Sequence, residues 1–91
     1  MTYPSRMARN AKARQLKAKF PRLRQIRQEQ LGWEIVDILS RLPGNKPSMS
    51  SIYRLEQGDA IRMSSARRVF DVINAALDKS LDPSKELQAS W

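Results

Sequence analysis

The stretch SMSSIYRLEQG runs from Ser48 to Gly58. Pro47 prevents any earlier helix from continuing, and the Ser48 hydroxyl can accept from the free amides one turn on, so a helix starts here. Gly58 ends it, because glycine enters the left-handed conformation of a C-cap without steric cost. Between the two, only Ile52 and Leu55 fall at the spacing of a buried seam. Met49, Ser50, Tyr53, Arg54 and Gln57 are left on the other side. A helix of about ten residues with so thin an apolar seam and so polar an outer face is built to be read by, or to read, something else.

The flanking sequence extends the helical pattern in both directions. Upstream, Ile35, Ile38, Leu39 and Leu42 share one face of a segment from Trp33 to Leu42, which Pro43, Gly44, Asn45 and Pro47 terminate. Before it, Pro21 opens a short amphipathic helix carrying Leu23, Ile26, Gln30 and Leu31, and Gly32 breaks the chain between the two. Downstream, Ser64 or Ser65 is expected to cap a helix with a wide stripe of Ala66, Val69, Phe70, Ile73, Ala76 and Leu77, ending near Asp82 and Pro83. The segment from Arg6 to Phe20 has good helix formers but few apolar positions, Met7, Leu16 and Phe20, and is expected as a basic arm or a helix formed on binding. Val, Ile and Thr form no alternating runs, so no strands are expected. The predicted fold is all-α: a compact bundle of about five short helices. Residues 1–19 form the arm, 20–82 the domain and 83–91 a tail.

Composition narrows the function. The chain has 91 residues, 17 Lys and Arg against 9 Asp and Glu, and a net charge of +8 with no His and no Cys. That excludes imidazole bases, thiol nucleophiles, ordinary zinc sites and disulfides, so neither an enzyme nor a metal or other cofactor is expected. No apolar run reaches the roughly 18 residues of a membrane span, and no secretory leader is visible, so a cytoplasmic protein with no membrane partner is expected. The charge is uneven: residues 1–30 hold nine bases and only Glu29 as an acid, which is the whole net +8. Residues 31–91 hold eight of each sign. Such asymmetry is the footprint of a chain that meets a polyanion.

Two short helices joined by a tight connection, the second with a narrow seam, describe a helix-turn-helix. Through Ser48, Ile52, Leu55, Glu56 and Gly58, the stretch resembles the recognition-helix signature of the lambda-repressor-like (Cro-type) family of phage, plasmid and bacterial repressors. Leu23, Ile26 and Arg27 resemble that family's first helix, and the helix from Ser64 to Leu77 its fourth. The resemblance implies that the helix from Ser48 to Gln57 lies in the DNA major groove, with Met49, Ser50 and Arg54 reading bases and Ser51 and Tyr53 near the backbone. It also implies that Arg27 and Glu56 pair across two helices. Side-chain chemistry agrees, since Arg donates a bidentate pair to guanine, Ser donates or accepts, and Met touches a thymine methyl. The chain departs from the family pattern in three places, one of them the connection RLPGNKPS, residues 41–48, which is several residues longer than the family's turn. Gly32 stands five residues after Arg27 instead of four, and Trp33 or Glu34 occupies the place of the Gln that opens the second helix.

Further backbone contacts are expected from Trp33 through its indole N–H, from Lys46 in the long connection, and from Ser48, Arg62, Arg67 and Arg68. Arg6, Arg9 and Arg14 could follow the backbone or enter the minor groove. These residues predict a sequence-specific regulator of transcription, a repressor that binds a palindromic operator in double-stranded DNA as a homodimer and localises to the nucleoid when bound. No small-molecule effector is evident. Leu77, Leu81, Leu87 and Trp91 form either the dimer interface or the last part of the monomer core. Two alternatives stand beside this reading: an antitoxin-type interaction module that keeps its helix-turn-helix, and a basic RNA-binding protein, weaker because stacking aromatics are few.

Overall fold

The computed structural model describes residues 16–90. Five helices pack with a three-stranded antiparallel sheet, which corrects the all-α expectation. The first described element is strand β1, Lys17–Lys19, with Ala18 buried between two exposed lysines. Helix α1 follows Pro21 as an α-helical turn over Leu23–Gln25 that widens to i→i+5 turns over Ile26–Leu31. A turn closed i→i+5 holds one residue more than an α turn. The five-residue step from Arg27 to Gly32 is closed this way, the Gly32 N–H donating back to the Arg27 carbonyl. Gly32 closes α1 at φ 64°, a left-handed conformation that a side chain would oppose.

Helix α2, Ile35–Ser40, leads through a tight helical turn over Pro43–Asn45 to helix α3, Met49–Glu56. The Ser48 hydroxyl accepts from the Ser51 amide at 3.4 Å at the start of α3, and Gly58, at φ 96°, follows its end. Strand β2, Ile61–Arg62, runs directly into helix α4, Met63–Ala76. Arg62 therefore stands at the N-cap position of α4, without a side-chain cap bond, where Ser64 or Ser65 was expected. The first turn of α4 is tied by its backbone instead, the Met63 N–H donating to the Leu16 carbonyl at 3.1 Å. After Ala76 the chain is irregular until the single turn of helix α5, Pro83–Glu86, capped by the Asp82 carboxylate. Strand β3, Gln88–Ser90, follows.

β1 is the central strand. Ala18 lies opposite Ile61 of β2 on one side and Ala89 of β3 on the other. The end of the segment expected as a basic arm or a helix is thus a strand at Lys17–Lys19, and residues 1–15 lie outside the described part. Helix α4 packs on β1 and β2, while α3 packs against α1, α2 and β2. Phe20, Leu23, Ile26, Ile38, Ile52, Leu55, Val69, Phe70 and Ile73 are fully buried and make one core. Phe20 and Phe70 meet with ring centroids 5.8 Å apart at 49°, a tilted pair that ties β1 to α4.

The C-terminal apolar residues divide differently from the dimer expectation. Leu87 is buried in its own chain's core, and Leu77 and Leu81 pack half-buried against it, while Trp91 lies outside the described residues. β-Pairing with β1 brings Leu87 inward. Leu87→Ala should therefore lower the unfolding free energy by about 2 kcal/mol or more, equally at every protein concentration. Denaturant titration over a hundredfold concentration range checks this; a loss that appears only at high concentration would return Leu87 to an interface between copies.

Candidate nucleic-acid interface

Helix α3 presents the surface on which a helix-turn-helix would act. Its inner side buries Ile52 and Leu55, and its outer side exposes Ser50, Tyr53, Arg54 and Gln57, with Ser51 half-buried. Met49 is half-buried against the core instead of standing free, so its reach toward a ligand is shorter than its sequence position suggests. Among the described residues, Tyr53 and Val36 are the most exposed large apolar side chains, at 50% and 54%.

One side chain sets how α3 sits. Arg27, 6% exposed, donates from Nε and Nη2 to the two carboxylate oxygens of Glu56, the second bond being 2.9 Å. Its Nη1 donates to the Trp33 carbonyl at 2.7 Å. One guanidinium therefore joins α1, the start of α2 and the end of α3. The two-pronged bond to Glu56 holds the Arg27 pKa above its ordinary value. A group whose folded pKa is raised contributes fully at every pH below its unfolded value. The Arg27 guanidinium thus stays charged through neutral pH and gives up its proton only in strong alkali.

The residues at the entry to α2 are absorbed into the structure. Glu34 stands at its N-cap, and its backbone N–H donates to the Asp37 carboxylate at 2.7 Å. Trp33 is half-buried, with the Arg41 guanidinium 4.3 Å from its ring centroid. Acidic groups at a helix N-terminus are favoured by its dipole, which accounts for Glu34 at the N-cap of α2 and Asp37 in its first turn.

A depression lies on each side of α3. The first is lined by Arg24, Glu34, Val36, Tyr53 and Gln57, with the Arg27 and Glu56 pair at its base. The second, about 430 Å³, is lined by Lys17, Ser51, Arg54, Ala60, Ile61, Arg62 and Ser65. Arg54, Ser51 and Arg62 are thus brought together by the fold, and Lys17 joins them. Lys17 and Arg24 are absent from the sequence-based set. The alternation of Lys17, Ala18 and Lys19 was the signal for the first, too short to distinguish from helix.

The other expected residues lie apart from this cluster or are already engaged. Lys46 and Ser48 are exposed in and after the connection. Arg67 donates to Asp71 at 3.2 Å, one helical turn on, and Arg68 lines a separate groove with Arg41, Pro43 and Val72. Arg6, Arg9 and Arg14 lie outside the described residues. Among the described residues no cluster of His, Cys, Asp or Glu could hold a metal ion, and no helix is long and apolar enough to cross a membrane.

Arg27→Ala is expected to cost about 3–5 kcal/mol, because it strands the Glu56 carboxylate without its partner. Replacing both by apolar residues, Arg27→Met with Glu56→Leu, should recover most of that loss. A double-mutant cycle by denaturant unfolding measures the coupling; single and double losses that simply add would show that the two side chains act independently. Comparison with known proteins finds no matching family model, no matching curated protein and no matching solved structure.

Proposed function

We propose that the protein is a sequence-specific double-stranded DNA-binding regulator of transcription, a repressor that inserts α3 into the major groove. The observation that carries this reading is the outer face of α3, where Ser50, Tyr53, Arg54 and Gln57 stand exposed on a helix whose attitude Arg27 and Glu56 hold. An α-helix with its side chains is roughly 10–12 Å across, which a major groove about 12 Å wide admits. Arg54 can donate two parallel bonds to guanine O6 and N7, and Ser50 can donate or accept. Val36 and Tyr53 offer apolar contact to thymine methyls and deoxyribose. Phosphate contacts come from the basic residues around α3 and before Phe20, and they set affinity without specifying sequence.

One short helix reads few base pairs, so a homodimer on a palindromic operator is the economical arrangement. Leu87, enclosed in its own chain, is left out of the interface proposed here.

Selection from a random duplex library with the purified protein should converge on a palindrome whose half-sites lie about one helical turn apart. Affinity for the selected duplex should fall with salt at a log–log slope of roughly −5 to −7, as six to eight neutralised phosphates require. Arg54→Gln should weaken the selected duplex by about 1–3 kcal/mol and relax preference at one position of each half-site. Failure to enrich any sequence, with equal affinity for duplex and structured RNA, would refute the proposal.

A further inference from the structure

The depression beside α3 and the sheet has a charge arrangement that the fold alone does not favour. Lys17 and Arg62 are directly opposed on neighbouring antiparallel strands. Opposed residues project from the same face with Cβ atoms about 4.5–5.5 Å apart, and like charges there are destabilising. Arg54 brings a third cation to the same depression from α3. None of the three is in an ion pair among the described residues. No carboxylate lines the depression, whereas two hydroxyls do, those of Ser51 and Ser65. The depression on the other side of α3 differs, since Glu34 and Glu56 border it.

We propose that the cleft between β1, β2 and α3 is a phosphate-group site, in which Lys17 and Arg62 grip the anion across the two strands and Ser51 and Ser65 can donate to its oxygens. A phosphate accepts from several directions at once, so it relieves a repulsion that a single carboxylate would relieve only in part. Arg54, on the helix wall, adds a third positive charge beside the anion. The source of the phosphate rests on the DNA-binding reading, which makes it a backbone phosphodiester. The site itself rests on the charges and would equally take free inorganic phosphate.

Two arms of one experiment separate these. Titration of the full chain with inorganic phosphate, followed by backbone amide NMR, should move residues 17, 51, 62 and 65 on one curve that saturates at roughly 1–10 mM. The Lys17→Gln, Arg62→Gln double variant should lose that response yet melt no lower than the parent at low salt, because it removes a repulsion. Shifts that never saturate, or that spread evenly over all basic residues, overturn the site. On duplexes, the same variant should bind a selected sequence and a random one more weakly by the same factor, roughly 10 to 100, with a salt slope smaller by about 0.9. Unchanged binding of both duplexes overturns the backbone-phosphate assignment. A parent protein that saturates with phosphate but binds no duplex supports the site and refutes the DNA reading.

Discussion

The Arg27 guanidinium bears on three parts of the chain at once, and the attitude of α3 depends on it. Bonds to Glu56 at one end of α3 and to the Trp33 carbonyl ahead of α2 mean that neither helix can shift without breaking a desolvated charged contact. A buried ion pair adds little net stability over apolar residues of the same size. Its effect lies in geometry, because alternative packings of so short a helix against α1, α2 and β2 would leave a charge buried and unpaired. Apolar contacts alone are non-directional and would tolerate a slide or a roll of α3. A paired fork tolerates neither.

Helix boundaries were legible because their punctuation is chemical and local. Pro47 and Ser48 open α3, Gly58 closes it, and Gly32 separates α1 from α2. The sheet was hidden for a physical reason. Its strands have three, two and three residues, and its central buried position is Ala18, whose side chain carries no β signature and whose flanking lysines read as part of a basic run. The start of α4 was misplaced for a related reason: its first amide bonds to the Leu16 carbonyl, a partner far away in sequence, so no serine is needed there. The pairing of Arg27 with Glu56 was readable only through family likeness, since nothing in the spacing of two charges 29 positions apart indicates contact.

The wide turns of α1 set where the chain leaves that helix. A turn closed i→i+5 holds one residue more than an α turn, and α1 closes this way over Ile26–Leu31. Arg27, at the start of these turns, reaches Glu56 of α3, and Gly32 delivers the chain to α2. The cost is a run of backbone less tightly packed than an α-helix, placed where side chains on the outer surface, Gln28, Glu29 and Gln30, are exposed.

Antiparallel pairing of Lys17 with Ser90 places the two most distant described parts of the chain side by side. Contacts of such long sequence separation form slowly, because the closure entropy of the intervening chain is lost before the contact rewards it. During synthesis, the helices around Arg27 and Glu56 can assemble while β1 still lacks one neighbour. The last edge of the sheet closes only after residue 90 has left the ribosome. Until then the strand carrying Lys17 and Lys19 is paired on one side alone, so this basic strand is fully seated later than the described helices that precede β3.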